Sequence, residues 1–251
     1  MVFRFLSSFE IMQNILLFLD LDDTLFQTKR KNQNGVIPAT HSAKAGRGSY
    51  MTEAQGLLFE LFYDSEKVKI IPTTARDFQQ YQNTLLSQSP RIETAILYFA
   101  GMIIEQGIED KQWQQQIHEA YQELKLPISQ LLTQFEQRVD NHPQFTLYNV
   151  DDYYITVKAE RDCPKATQDG LFSQLKTLET SEYFVHQNDR AFSLLPHFLD
   201  KRYAVKYLIE KYQPELTLGM GDSLTDWPFM QQCDFRIIPK KAQIETLFKT
   251  K

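Results

Sequence analysis

The chain has 251 residues, of which 42% are hydrophobic and 24% charged, and its formal net charge is −5. Its 18 Phe, 12 Tyr and 2 Trp are too many large rings to leave in water, which excludes a disordered chain, and the mild negative charge argues against a nucleic-acid or anionic-lipid partner. Two distant cysteines, Cys163 and Cys233, exclude a disulfide framework or a cysteine zinc site and favour a reducing compartment such as the cytoplasm.

The apolar stretch at the beginning of the sequence is interrupted by Glu10, Gln13 and Asn14. No segment reaches the roughly 18 apolar residues that are needed to span a bilayer, so no membrane partner is expected. The first residues also lack the small-residue cleavage site of a signal peptide. We therefore expect residues 1–11 to be dispensable for folding.

Apolar runs and helical patterns alternate along the rest of the chain, as in a parallel sheet covered by helices. Continuous apolar runs are typical of strands that are buried on both faces. The predicted strands are 15–19, 68–71, 95–99, 216–218 and 235–238. Thr52 opens a capping box before an apolar helix face, and Asp200 is placed to cap a later helix. These features predict an α/β fold with a Rossmann-like parallel sheet as its core.

Two stretches do not fit a minimal α/β unit. Residues 28–51 are polar, contain three glycines and are too long for an ordinary loop, so they are either functional or disordered. Residues 106–190 combine two polar helical patterns, broken at Pro127, with strands whose alternation predicts an antiparallel sheet covered on one face. We therefore predict a core of residues 1–105 and 191–251 with an inserted α+β cap domain at 106–190.

Candidate functional residues begin directly after the first buried strand, in the segment DLDDT. Strand periodicity puts Asp20 and Asp22 on one side and Asp23 on the other. Open parallel sheets bind ligands at the carboxyl ends of their strands, and two carboxylates there need a cation, a shared proton or a nearby Arg or Lys. For the pentapeptide alone, a helix cap or a solvated acidic turn is as good an interpretation as a functional site.

Three later segments favour a functional site over an acidic turn. The segment TTAR ends a strand, and its Thr74 is placed either to donate to a phosphate oxygen or to cap a helix. Lys201 begins a helix, where the helix dipole favours anions, so the lysine either has a local anion or is an ordinary exposed residue. The segment GDSLTD adds Asp222 and Asp226, of which Asp226 is also a typical N-cap before Trp227 and a proline.

The four segments, in this order, resemble the motifs of the haloacid dehalogenase superfamily. TTARD resembles its second motif, with Ala75 where Gly is usual. DKRYAVKYL is similar to the lysine motif of the Cof-type and sucrose-phosphatase-like branch, and GDSLTDWPFM is similar to GDSxNDxxM with Thr225 in place of Asn. FAGMIIEQG stands where that branch has NGA, with Ala100 in place of Asn. The inserted module lies between the second and third motifs, where that branch has its large α/β cap.

The resemblance implies catalytic roles for four of these residues. Asp20 would be the nucleophile that forms an aspartyl-phosphate. Asp22 would protonate the leaving oxygen and then activate the hydrolytic water. Thr74 and Lys201 would hold the phosphoryl oxygens and spread their charge.

The resemblance also implies a magnesium site. Asp20, the backbone carbonyl of Asp22, and Asp222 would bind the ion, and Asp226 would support this set directly, through Lys201 or through water. Mg²⁺ prefers hard oxygen ligands and is typically held by one or two carboxylates together with water and phosphate. The metal and the lysine together would make four clustered carboxylates tolerable.

The sequence thus predicts a Mg²⁺-dependent phosphatase that acts on a small phosphorylated metabolite, by analogy a sugar phosphate. Two alternatives stay open: transfer of the phosphoryl group to another hydroxyl, as in phosphomutases of the superfamily, and a binding protein that keeps the fold without turnover. The presence of both Asp20 and Asp22 argues against the second alternative. No oligomeric state is predicted.

Substrate preference is expected to lie outside the phosphate-binding motifs. Segment 28–51 starts beside the reaction centre and carries His41, Lys44 and Arg47, so we expect it to close over the substrate together with the cap. Other candidates for substrate contact lie in the cap itself. They are Lys158, Arg161, Lys165, His186 and Arg190.

Overall fold

The structure, a computed structural model, describes residues 14–248. The hypothesis about residues 1–11 therefore lies outside the described residues. The strands are β1 (Ile15–Leu19), β2 (Gln27–Thr28), β3 (Ile37–Pro38), β4 (Ser49–Met51), β5 (Val68–Pro72), β6 (Thr94–Leu97), β7 (Met102–Glu105), β8 (Ile108–Glu109), β9 (Phe145–Val150), β10 (Tyr154–Ala159), β11 (Tyr183–Asn188), β12 (Ala191–Pro196), β13 (Leu216–Met220) and β14 (Phe235–Ile237). The α-helices are α1 (Glu53–Tyr63), α2 (Phe78–Gln82), α3 (Lys111–Gln122), α4 (Ile128–Val139), α5 (Lys165–Lys176), α6 (Lys201–Tyr212) and α7 (Trp227–Met230). Within residues 14–248, no helix is both long and apolar enough to cross a membrane.

The core is a parallel four-stranded sheet in the order β14-β13-β1-β5, which confirms the predicted fold class. β1 lies between two neighbours and its residues 16–19 are buried, as its continuous apolar run predicts. Its last residue, Leu19, pairs with Met220 of β13 and with Pro72 of β5. The three strands therefore end at the same level, and the residues that follow them meet at one edge of the sheet.

The predicted strand at 95–99 differs from the expectation. β6 ends at Leu97 and pairs antiparallel with β7, so it belongs to a separate sheet in the order β6-β7-β8. The chain reverses at residues 98–100, whose φ angles are 52°, 55° and 89°. Such left-handed residues cannot continue a strand. A parallel bridge between Thr73 and Ile96 links β6 to the chain that follows β5.

Segment 28–51 is folded. It contributes to a small antiparallel sheet in the order β2-β4-β3 and contains a 3₁₀ helix at His41–Ala45. The His41 N–H donates to Asn83 O at 2.8 Å, and the Leu85 N–H donates to Ala39 O at 2.9 Å. A Cβ at Gly48 would lie 2.1 Å from Thr40 Oγ1, so only glycine fits there. The segment is thus fastened to the chain that follows α2, and the alternative of a disordered insertion is wrong.

The chain divides into two compact units, one formed by residues up to Asp110 and from Asp200 onward, the other by Lys111–Leu199. The second unit has an antiparallel sheet in the order β11-β12-β10-β9. Ile155 and Val157 of β10 lie in one apolar core with residues of α4 and α5, so the predicted one-sided cover is present. This unit begins five residues later and ends nine residues later than the expected range 106–190. The later end follows from the pairing of β12 with both β10 and β11.

Both points at which the chain leaves and re-enters the first unit are fastened to α6. Tyr207 Oη donates to Asp110 Oδ2 at 3.0 Å, and Lys211 Nζ donates to the same oxygen at 2.7 Å. Asp200 is the N-cap of α6, as predicted, and its Oδ1 accepts from the Arg202 N–H at 2.9 Å. α6 is thus tied to Asp110 by Tyr207 and Lys211, and it begins at Asp200 with a capped first turn.

Candidate active site

Asp20 lies at the carboxyl edge of the core sheet, and its N–H donates to Met220 O at 2.9 Å. Lys201, the first residue of α6, donates from Nζ to Asp20 Oδ1 at 2.7 Å and to Asp226 Oδ1 at 2.6 Å. Asp20, Lys201 and Asp226 are 5%, 3% and 1% exposed. The structure therefore places the lysine in a buried ion pair with two carboxylates and not on an exposed helix surface.

The two carboxylates share this one ammonium group. Burial alone would lower the pKa of Lys201, but Asp20 and Asp226 raise it above its ordinary value, so the lysine is charged. Burial, and after it the charge of Asp226, raises the pKa of Asp20 well above its ordinary value despite the neighbouring lysine. Burial, more than any single neighbouring charge, therefore disfavours the charged form of Asp20.

Asp222 joins this cluster from the end of β13. Thr24 Oγ1 lies 2.9 Å from Asp20 Oδ2 and 3.2 Å from Asp222 Oδ1, and donates between them. Burial and the charge of Asp226 raise the pKa of Asp222 to about 6. A Cβ at Gly221 would lie 2.6 Å from the Asp226 Cβ, so the close turn after β13 requires glycine. Thr24 received no role from the sequence, although it is the last residue of DLDDT.

Asp226 has both carboxylate oxygens occupied. Oδ1 accepts from Lys201, while Oδ2 accepts from the Ser223 N–H at 3.0 Å and from Ser223 Oγ at 2.7 Å. Although Asp226 precedes α7, its side chain makes no capping hydrogen bond to that helix. Asp226 therefore holds the lysine and closes the turn at residues 222–226.

The cluster fits a divalent cation. Carboxylate oxygens of Asp20, Asp222 and Asp226 lie within 4.8 Å of one another. Three buried carboxylates outnumber the single ammonium of Lys201, so a bound cation would balance negative charge that the lysine alone does not. Hard carboxylate oxygens are the donors that Mg²⁺ prefers. In the part of the chain that the structure describes, this group does not include the Asp22 carboxylate.

Asp22 lies apart from the buried cluster and pairs with Arg76. Arg76 Nε donates to Asp22 Oδ2 at 2.7 Å, and Arg76 Nη2 donates to Asp22 Oδ1 at 2.8 Å. Thr74 is buried, and its Oγ1 accepts from the Arg76 N–H at 3.2 Å. Thr74 does not cap α2, because that cap is Asp77. The sequence analysis assigned no role to Arg76, and its position directly after the strand end in TTAR was the one signal that could have pointed to it.

Asp23, expected on the opposite side from Asp20 and Asp22, forms an ion pair with Lys31 of segment 28–51. Its backbone has φ 67°, a conformation that favours glycine. The charge of Asp23 also contributes to the raised pKa of Asp222, after burial and Asp226. The charge of Asp23 therefore acts on the cluster, and Lys31 balances the charge of Asp23.

The candidates for substrate contact at 158–190 all belong to the second unit. Lys158, Arg161 and Arg190 line a polar cavity of about 310 Å³ there. His186 lies in β11, and Lys165 begins α5 and pairs with Asp169. Their role in substrate contact stays a prediction.

Comparison with known proteins relates this chain to sugar-phosphate phosphatases. Residues 13–248 match the family model of sucrose-6F-phosphate phosphohydrolase. No curated protein matches the sequence. The fold is similar to that of the sucrose-phosphatase from Synechocystis in complex with sucrose and phosphate, at 18% identity and a TM-score of 0.57, with 94% of this chain and 87% of that chain covered.

Two further structures share the fold. The C-terminal domain of trehalose-6-phosphate phosphatase from C. albicans has 15% identity and a TM-score of 0.54, covering 87% of this chain and 73% of that chain. A protein from Thermoplasma acidophilum has 13% identity and a TM-score of 0.59, covering 94% and 89%. The resemblance to the haloacid dehalogenase superfamily is confirmed by the family match. The chain belongs to the sucrose-6F-phosphate phosphohydrolase family, a family of phosphoric monoester hydrolases.

Proposed function

We propose that this protein is a Mg²⁺-dependent phosphatase that hydrolyses a small sugar phosphate through an aspartyl-phosphate on Asp20. The observation that carries the proposal is the buried cluster in which Lys201 holds Asp20 and Asp226 beside Asp222. Phosphoryl transfer depends mainly on positioning and on neutralising charge, and this cluster offers a fixed carboxylate, a fixed ammonium and ligands for a metal.

The reaction proceeds in two steps on the chain's own residues. A carboxylate oxygen of Asp20 attacks phosphorus, the bond to the sugar oxygen breaks, and Asp22 donates the proton that this oxygen needs. Asp22 then takes a proton from a water molecule, which attacks the phosphorus and releases phosphate from Asp20. Lys201 and Thr74 hold the phosphoryl oxygens throughout. Mg²⁺ bound by Asp20, Asp222 and the Asp22 carbonyl, with Asp226 in support, would neutralise charge on the phosphoryl group.

A sugar phosphate is the substrate class that the relatives support. The family is named after the hydrolysis of sucrose-6F-phosphate, and two similar structures are a sucrose-phosphatase and a trehalose-6-phosphate phosphatase. The proposed chemistry of the first unit acts on the phosphoryl group, so these residues do not by themselves distinguish one sugar phosphate from another. A cytoplasmic location stays a prediction from the cysteine content.

The proposal is tested by measuring phosphate release from a panel of sugar phosphates and 4-nitrophenyl phosphate, with and without Mg²⁺. We expect release from at least one sugar phosphate, loss of that activity after chelation, and recovery when Mg²⁺ is returned. Full activity after exhaustive chelation would overturn the metal requirement. Transfer of the phosphoryl group to a second sugar hydroxyl, detected by mass spectrometry, would identify a phosphomutase instead.

Asp222→Ala should weaken Mg²⁺ binding by about tenfold or more, because it removes a charged oxygen ligand from the cluster. Isothermal calorimetry with Mg²⁺ measures this effect without turnover. The metal-free variant should be at least as stable as the wild type, since burial and Asp226 already disfavour a charged Asp222. Asp234→Asn is the control, because that carboxylate is bonded to Thr217 outside the cluster. Equal Mg²⁺ affinity in both variants would remove Asp222 from the metal site.

A further inference from the structure

Asp22 lies outside the buried cluster, and both of its carboxylate oxygens accept hydrogen bonds from Arg76. Arg76 donates to both of its oxygens, at 2.7 Å and 2.8 Å, in the two-pronged geometry that is the strongest arrangement for an arginine and a carboxylate. The Arg76 side chain is 13% exposed, whereas the Asp22 side chain is 50% exposed. The buried partner is thus the arginine, and the carboxylate reaches outward from it.

Arg76 is itself held from three sides. Its Nη1 donates to Gln80 O at 3.1 Å, its guanidinium lies 5.1 Å from the centre of the Phe26 ring, and its backbone N–H donates to Thr74 Oγ1 at 3.2 Å. These contacts leave the Nε and Nη2 donors facing Asp22. A planar guanidinium held in this way fixes the plane of the carboxylate that it binds.

The guanidinium uses one lone pair on each Asp22 oxygen, so the second lone pair of either oxygen can still carry the proton that a leaving oxygen needs. The two bonds to Arg76 would keep the carboxylate oriented during that proton transfer. An orientation error of about 1 Å in such a group costs on the order of a hundredfold in rate.

On the basis of the proposed function, we propose that Arg76 is the positioning residue of Asp22. It fixes the plane of the Asp22 carboxylate through both oxygens, while a second lone pair of one oxygen carries the proton. Arg76 does not itself touch the sugar in this scheme. The competing explanation is that the pair only fastens the chain after β1 to the chain after β5.

Leaving-group chemistry separates the two explanations. The 4-nitrophenolate group leaves with little help from an acid, whereas a sugar alkoxide needs a proton, and general acids contribute about 10²–10⁴-fold. Arg76→Gln should therefore lower kcat/KM for the best sugar phosphate by about a hundredfold or more, and kcat/KM for 4-nitrophenyl phosphate by less than about tenfold. A purely structural role would lower both by the same factor.

A double-mutant cycle with Asp22→Asn sharpens the test. If Arg76 acts through Asp22, then Arg76→Gln should change kcat/KM by less than about threefold in the Asp22→Asn background. Arg76→Lys keeps the positive charge but not the planar two-pronged geometry, and should recover part of the loss. Arg91→Gln is the matched control, because Arg91 also donates to one carbonyl (Ser65 O, 2.9 Å) and lies 5.1 Å from a ring (Tyr63), away from the motifs.

Phosphoenzyme content gives a second measurement. Because Asp22 also activates the hydrolytic water, Arg76→Gln incubated with 4-nitrophenyl phosphate should accumulate phosphorylated protein, seen as a mass increase after acid quenching, while the wild type and Arg91→Gln should not. Equal losses on both substrates, or undiminished losses in the Asp22→Asn background, would overturn the role of Arg76. Failure of the wild type to release phosphate from either substrate would overturn the proposed function and, with it, this inference.

Discussion

Asp20→Asn should lower the rate of phosphate release by about 10⁴-fold or more, because an amide oxygen cannot replace the carboxylate that attacks phosphorus. The fold should survive. Burial and Asp226 already oppose a charged Asp20, and after the change Lys201 keeps its bond to Asp226. Steady-state phosphate release and a thermal melt without metal measure the two parts of this prediction. The melting temperature of the variant should equal or exceed that of the wild type.

Asp23→Asn is the control for this change. Asp23 is also an aspartate of DLDDT, but it pairs with Lys31 at the surface and lies outside the group of clustered carboxylates. Its loss should alter activity by less than about tenfold, since it affects Asp222 only through its charge. Comparable activity in Asp20→Asn and Asp23→Asn would show that Asp20 is not the nucleophile.

Lys201→Met should destabilise the metal-free protein by about 3–5 kcal/mol, the usual cost of removing one partner of a buried ion pair. The change leaves Asp20 and Asp226 buried beside Asp222 without their ammonium. Chemical denaturation without metal measures this cost. Phosphate release should also fall by at least about a hundredfold, because the ammonium no longer balances charge on the phosphoryl oxygens.

Lys206→Met is the matched control on the same helix. Lys206 is 65% exposed and pairs with Glu210 at 3.8 Å, an arrangement worth at most about 0.5 kcal/mol. If the two substitutions cost the same stability, the buried pair of Lys201 would have no special energetic role. Saturating Mg²⁺ should restore part of the stability of Lys201→Met and none of the small loss in Lys206→Met.

Much of the fold could be predicted from local patterns. The apolar run of β1 could be read because a strand buried on both faces has no room for polar residues, and its bounds agree with the structure. The strand predicted at 95–99 ends early because residues 98–100 adopt a left-handed backbone conformation, which their sequence, YFA, does not indicate. Left-handed conformations in residues other than glycine depend on tertiary packing, so no local pattern reveals them.

The site residues likewise fall into those that local patterns could predict and those that they could not. Residues that follow strand ends, such as Asp20 and Asp222, could be located because register brings strand ends together. The pairs of Arg76 with Asp22 and of Lys31 with Asp23 join side chains that are far apart along the chain or come from an irregular segment. Charge and spacing alone do not choose between the many possible partners of such residues.

The attachment of Asp110 and Asp200 to α6 has a consequence for how the inserted unit can be exchanged during evolution. Both junctions of the inserted unit are fixed by side chains of the first unit, through Tyr207 and Lys211 at one junction and the helix cap at the other. The helix between them also supplies Lys201. If a different insert were joined to the first unit at Asp110 and Asp200, Lys201 would already be in place in α6. Gene recombination at these two residues would therefore replace the insert and leave the reactive residues of the first unit unchanged.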